Sequence, residues 1–343
     1  NPFSEARTRI LDMLLKHRIA VITPRVSDYR ESGSTLADDD TTSETSGTRA
    51  QLYRVISLQS DEVLKLSGGA LRHVTADFSS LIGYGAFGGL YHVANFPELV
   101  VRRVILNPLP DGLREARENI WKEVIGLRHP HLAPIVAFTP DYSVAYRIGK
   151  CRSLFDWLSS DRKRFTWKLR VDTLKSVIRA LKYLHSNSIF HGDVQARTVY
   201  VSEDGVVVQM VDAGLSRLLA TDRTRFERND VVYGSRGYRC PRYERGSCRY
   251  DSCSDMFSFG IVVAELLTGK LQSSKHSGTL AWDVYYDLIL TKQPLELDSA
   301  VSSLPRPVLD VLGKTMAACM NPRVQQRPSS ADVARILNQL DVA

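Results

Sequence analysis

The stretch His191-Gly192-Asp193-Val194-Gln195-Ala196-Arg197-Thr198, followed by Val211-Asp212-Ala213-Gly214, decides how this chain is read. Each segment sets an aspartate on a short turn after an apolar run. Phosphoryl transfer requires two such carboxylates. One accepts the proton of the attacking hydroxyl, and the other holds Mg²⁺ against the nucleotide phosphates. Upstream, Leu81-Ile82-Gly83-Tyr84-Gly85-Ala86-Phe87-Gly88-Gly89-Leu90-Tyr91-His92-Val93 reads strand, glycine turn, strand. A lone G-x-G-x-x-G also serves dinucleotide folds, but a helix follows it there, whereas a second strand follows it here. Gly83, Gly85 and Gly88 let the backbone lie close over phosphates, because a side chain would obstruct that approach.

The 343 residues suffice for one large core or two lobes, and 43% hydrophobic with 24% charged residues is ordinary for a globular chain. No apolar run is long enough to span a bilayer; the best, around Phe257 to Leu267, carries Glu265. The chain opens on Asn1 without a signal peptide, which implies a fragment or processed product and leaves an upstream receptor or membrane anchor open. Five cysteines, odd in number and without metal-ligand spacing, read as reduced structural thiols in a cytosol-facing protein. The net charge of +7 does not point to nucleic acid, because nine arginines fall between Arg217 and Arg249. They read as solvated loop charge or as a docking surface for an acidic or phosphorylated protein partner.

Residues 3–19 predict an amphipathic helix: Ile10, Leu11, Leu14 and Leu15 recur at helical spacing, with Arg7, Arg9, Lys16 and Arg18 on other faces. Residues 32–47 have almost nothing apolar and read as a linker, after which Leu52 to Leu58 alternates like a strand. Trp167 to Ser186 predicts a long helix that buries Leu169, Val171, Leu174, Val177, Leu181 and Leu184.

The order and spacing of the two aspartate segments resemble the catalytic loop (His-Arg-Asp-x-x-x-x-Asn) and metal loop (Asp-Phe-Gly) of the protein kinases. Further ordered matches extend the resemblance over roughly Phe78 to Leu340. Gly234-Ser235-Arg236-Gly237-Tyr238-Arg239-Cys240-Pro241 resembles the end of an activation segment, Ser254-Asp255-Met256-Phe257-Ser258-Phe259-Gly260 the helix whose aspartate ties down the catalytic loop, and Arg327-Pro328-Ser329 a late family motif. The chain is most similar to the tyrosine-kinase-like branch, which includes plant receptor-like kinases and interleukin-receptor-associated kinases. The resemblance implies an α+β bilobal fold with a small antiparallel-sheet lobe carrying one key helix and a larger, mainly helical lobe. It divides the chain into an N-terminal helix and linker (1–50), a small lobe (51–149) and a large lobe (150–343).

It also implies roles. Gly83, Gly85 and Gly88 would cover ATP, and Asp193 would be the base. Asp212 would hold Mg²⁺ or Mn²⁺, Tyr146 would stand at the back of the nucleotide pocket, and Arg147-Ile148-Gly149 would be the hinge. Arg102 falls on the phosphate-binding lysine of the Val-Ala-Val-Lys strand, with Arg103 the alternative if the register slips by one. Counting back without a gap from Leu127-Arg128-His129-Pro130 puts Ile120 where the lysine's glutamate partner should be, which leaves Glu123, one turn on, as the candidate partner and Glu118 half a turn back. Other departures are Gly192 for arginine, Gln195 for the lysine that steadies the transferred phosphate, Thr198 for the asparagine on the second metal, Ala213 for phenylalanine and Arg242 for glutamate. Two arginines, 242 and 327, cannot form the family's bridge, so the segment must be anchored otherwise.

Arg102, Gln195 and Thr198 alter the charges around the phosphates, and removing one such stabiliser costs about 10²–10³ in rate. The expectation is a pseudokinase acting as a signalling scaffold or allosteric regulator, with ATP still held through the glycine loop and Asp212 unless the pocket is filled by its own side chains. A kinase, receptor or immune-type signalling protein would be its partner. The alternatives are a weakly active Ser/Thr kinase and an anion- or lipid-surface module built on the arginine-rich segment.

Overall fold

The computed structural model describes residues 63–85, 87–93, 96–105, 111–219, 234–235, 237–240, 250–272 and 296–340, without the side chains of 111–114. The expected N-terminal helix, linker and strand over residues 3–58, and most of the arginine-rich segment, lie outside them.

Strand β4 (Phe96–Val104) organises the small lobe. Its run Leu99-Val100-Val101-Arg102 is buried on both faces, so it reads as continuous rather than alternating. Successive side chains still point to opposite sides. Leu99 and Val101 face one cluster, with Leu66, Ala70, Leu71 and Val74, while Val100 and Val104 face another, with Trp121, Val124 and Tyr146. The sheet order is β1 (Leu64–Lys65), β5 (Ile135–Phe138), β6 (Val144–Arg147), β4, β3 (Gly88–Val93) and β2 (Leu81–Gly85), antiparallel except between β1 and β5. Helix α1 (Gly68–Val74) covers its outer face, started by Ser67, whose hydroxyl accepts from the Ala70 N–H at 3.0 Å. Helix α2 (Asp111–Ile125) packs Trp121 and Val124 on the inner face.

Hinge residues lead into β7 (Cys151–Ser153), which pairs with β8 (Val199–Ser202), itself paired with β9 (Val208–Met210). The large lobe adds α3 (Leu154–Ser160), α4 (Trp167–Ser186), α5 (Ser216–Leu219), α6 (Ser252–Thr268), α7 (Arg306–Cys319) and α8 (Ser330–Asn338). α4 has the bounds its periodicity predicts and buries Val171, Leu174, Val177, Leu181 and Leu184, while Leu169 is only partly buried. α6 is buried from Ser254 to Thr268. It starts in an Asp251–Ser254 capping box and ends on left-handed Gly269.

Arg327, which cannot pair with Arg242, is anchored without a carboxylate among the described residues. Its guanidinium donates to the Asn321 carbonyl at 2.8 Å, the Cys253 carbonyl at 2.9 Å and the Cys240 sulfur at 3.1 Å, and lies over the Phe257 ring. Nearby, fully buried Glu265 accepts from the Tyr238 hydroxyl at 2.5 Å and the Gln272 N–H at 2.8 Å on Oε1, while Oε2 has no partner among the described residues. Burial pushes its carboxyl up to about 7, against the opposing pull of those donors and of Arg197.

A carboxyl whose folded pKa is raised binds its proton more tightly in the folded state, so its contribution is greatest below the unfolded value and is lost as pH rises through the folded one. Relative to Glu265→Gln, the wild-type chain is expected to lose about 3 kcal/mol between about pH 4.5 and about pH 7, then level off. Urea melts of both proteins across that range check it. A constant difference would contradict it.

Candidate functional site

The loop 191–198 is fixed from below by Asp255, fully buried on α6. Its carboxylate accepts from the His191 N–H at 2.7 Å, the Gly192 N–H at 3.0 Å and the Tyr250 hydroxyl at 2.8 Å, and lies 3.0 Å from His185 Nε2. Burial alone would raise its pKa, but the His185 contact, the imidazole charges and the Gly192 N–H hold it below the usual carboxylate range. Gly192 has φ +88°, and a Cβ there would overlap the Ser216 side chain. Arginine at this position would therefore meet both backbone strain and a steric block.

Asp193 is buried, and both of its oxygens are engaged. Oδ1 accepts from the Ser235 N–H at 2.7 Å, and Oδ2 from Gln195 Nε2 at 2.8 Å. Gln195 Nε2 also donates to the Ser235 hydroxyl at 2.7 Å. Burial and the neighbouring Asp212 raise the Asp193 pKa, against the Ser235 bonds and the Arg102 charge. Thr198, also buried, turns its hydroxyl into the loop's own backbone. It donates to the Asp193 carbonyl at 2.8 Å and accepts from the Gln195 N–H at 3.2 Å.

β4 aims Arg102 into the cleft and Arg103 outward. Arg103 is exposed and lies over the Phe78 ring at 4.7 Å, outside the cleft. Arg102 is 3% exposed. Its Nε lies 3.1 Å from both oxygens of Asp212, its Nη2 donates to Asp212 Oδ2, and its Nη1 donates to the Gly88 carbonyl at 2.9 Å. Burial works against the charge, but Asp212 and then Asp193 more than offset it, so the guanidinium pKa is raised. Asp212 sits in the left-handed region at φ +67°. The bonds to Arg102 hold its carboxylate in the cleft against that backbone strain of about 1 kcal/mol.

Glu123 is not at this site. It pairs with Arg217 of α5 at 2.5 Å and is largely exposed, while Ile120 packs against the apolar interior of the small lobe. The guanidinium has gone to Asp212 instead of to a helix carboxylate. A divalent cation does not fit this donor set. Both Asp212 oxygens already accept from Arg102, and the Thr198 hydroxyl is spent on backbone. Among the described residues no cluster of three or more His, Cys, Asp or Glu side chains could hold a metal.

The glycine loop lies directly on these groups. A Cβ on Gly85 would come 3.4 Å from Asp193 Oδ2 and 3.6 Å from Arg102 Nη1, and one on Gly83 3.7 Å from Arg197 Nη1. The cavity among Ile82, Gly85, Leu90, Arg102, Gln195 and Arg197 amounts to about 10 Å³, room for about one water. Tyr146 and Ile148 are each 3% exposed. Burial, then the Asp212 charge, raises the Tyr146 pKa well above the phenol range. The Ile148 N–H donates to the Glu98 carbonyl at 2.8 Å and the Gly149 N–H to the same oxygen at 3.2 Å, so both hinge donors are used within the sheet.

Three residues join the site that motif matching did not single out. Ser235 and Arg197 contact its edges, the latter stacked 3.4 Å from the Phe155 ring centroid. Tyr200 lies beneath. Its neighbours Val199 and Val201 enter the large-lobe core while its ring turns the opposite way, which the Val-Tyr-Val alternation could have signalled.

The chain belongs to the protein kinase family, whose protein kinase domain matches residues 77–338. It is 27% identical to cysteine-rich receptor-like protein kinase 25 of Arabidopsis thaliana over 83% of this chain and 44% of that protein. Against leaf rust 10 disease-resistance locus receptor-like protein kinase-like 1.3, also from Arabidopsis thaliana, identity is 24% over 98% of this chain and 50% of that protein. The chain thus spans about half the length of these relatives. A solved pseudokinase domain, that of BIR2, an immune regulator of the RLK/Pelle family, shares the fold with a TM-score of 0.62, 23% identity and coverage of 79% of this chain and 84% of that one.

Removing one partner of a buried ion pair leaves an uncompensated charge. Arg102→Ala is expected to destabilise the chain by about 3–5 kcal/mol, and Arg102→Ala/Asp212→Ala by clearly less than the sum of the single changes. Equilibrium denaturation of the three variants measures the coupling. Additive losses would mean the pair is not coupled.

Proposed function

We propose that this chain is a pseudokinase domain that works in signalling as a scaffold or allosteric partner. The observation that carries this reading is the Arg102 guanidinium on Asp212, where a kinase must hold a metal against phosphate. A bound cation both neutralises the developing charge and orients the γ-phosphate. A guanidinium already spent on the metal ligand does neither for a substrate. Gln195 and Thr198 support the same reading, since their polar groups close the catalytic loop on itself.

The retained Asp193 would favour a weakly active Ser/Thr kinase. Its two oxygens, however, hold the activation segment through Ser235 and the loop through Gln195, a structural reason to keep a carboxylate there. The partner would be a protein of a receptor or immune-type signalling complex, met on the cytosolic side. The arginines between Arg217 and Arg249 would be the docking charges.

Purified protein with ATP and either Mg²⁺ or Mn²⁺ is expected to release ADP no faster than its Asp193→Asn variant. That is at least about 10³-fold below the 1–100 s⁻¹ of ordinary protein kinases. ADP release or substrate phosphorylation above the variant's background would defeat the reading.

A further inference from the structure

A purine needs two apolar faces about 7 Å apart, twice an ordinary carbon–carbon contact. Beneath the glycine loop the candidate upper face is Leu90 of β3 and Val100 of β4, which share their cluster with Ile148 of the hinge. All three are buried. They belong to one packed cluster with Tyr146 and, from the opposite lobe, Tyr200. Tyr200 is 3% exposed and rises from β8, two residues beyond Thr198, on the face of the strand that looks away from the large-lobe core. An aromatic ring of the chain thus shares one packed cluster with the surfaces that would receive a base. On the phosphate side Arg102 ties Asp212 to the Gly88 carbonyl, and Gly85 rests against Asp193. The buried Tyr200 hydroxyl lacks a hydrogen-bond partner among the described residues, so packing accounts for the phenol there.

We propose that the chain fills its own nucleotide cleft, with the Tyr200 ring in the place of the base and the Arg102 guanidinium in the place of the metal and phosphates. The glycine loop is therefore held closed without ligand, and the shape offered to a partner does not depend on the supply of nucleotide. The inference goes beyond the loss of phosphate transfer, because a domain can bind ATP and transfer nothing. Two substitutions define the block. Tyr200→Leu shortens the ring to a side chain that leaves room for a base. Arg102→Lys replaces a fork that reaches two acceptors with a point charge.

The test is a thermal-shift and calorimetric titration with adenosine, and with ATP with and without Mg²⁺. Wild type is expected to show no saturable shift at millimolar ligand. Tyr200→Leu is expected to gain binding of adenosine, which needs only the base site. Tyr200→Leu/Arg102→Lys should gain Mg²⁺-dependent binding of ATP, with an upward shift of about 5 °C at one hundred times Kd. Tyr200→Phe keeps the ring and should behave as wild type. Saturable ATP binding by wild type overturns the inference while leaving the absence of transfer standing, and phosphate transfer by wild type overturns both. A folded Tyr200→Leu that takes up no adenosine also overturns it. If the double variant does not fold, wild type and the single variants decide alone.

Discussion

The carboxylate of Asp212 is fully buried, and that constraint governs the rest of the cleft. An ionised carboxylate out of water needs a positive partner close by, whether a metal ion or a side chain. Arg102 is that partner. A lysine in its place would present a single point charge, whereas the planar guanidinium reaches both the carboxylate and the Gly88 carbonyl. One side chain thus satisfies the metal loop and fastens the glycine strand over it. Such a pair adds little net stability over an apolar filling, but each member is costly to remove alone, so the two positions are locked together.

With a guanidinium on Asp212, the polar groups of the catalytic loop must find partners in the protein, because leaving one buried and unpaired costs about 1–3 kcal/mol. The substitutions in the loop read as answers to that demand. Threonine at 198 is short and bonds the loop's own carbonyl and N–H groups, and glutamine at 195 bridges Asp193 to Ser235. A lysine at 195 could donate to both but would bring a second charge into a loop that already faces Arg102. Glu123, released from the cleft, pairs with Arg217 near solvent, where an ion pair contributes little.

The sequence carried the fold almost completely, because its signals are periodic and ordered. The bounds of α4, the glycine end of α6 and the grip of Asp255 on the loop all follow from local pattern or motif. The site was legible only in part. β4 is apolar on both faces, so alternation cannot tell Arg102 from Arg103 as the inward residue. Pairing within the sheet buries Arg102 and exposes Arg103. Counting along α2 puts Ile120 at the partner position and Glu123 one turn on, but a count says nothing of which way the helix turns its carboxylates. Tyr200 stands between motifs, in a strand whose valines mark the other face as the core. The contacts inside the cleft join residues roughly a hundred positions apart, such as Arg102 and Asp212, and no local pattern encodes those.

Asp193 and Asp212 are the residues whose survival argues most for catalysis, and their contacts supply another reason for it. Asp212 balances a buried guanidinium, and Asp193 receives a backbone N–H of the activation segment and a side-chain amide of its own loop. Alanine at either place would strand buried donors or a buried charge, a penalty that acts on folding whether or not a phosphate is ever transferred. A domain of this fold that transferred no phosphate would therefore still need these aspartates as long as it kept Arg102, Gln195 and Ser235. Their presence in such a chain measures the integrity of the cleft's packing, and the state of the groups around them decides whether chemistry remains.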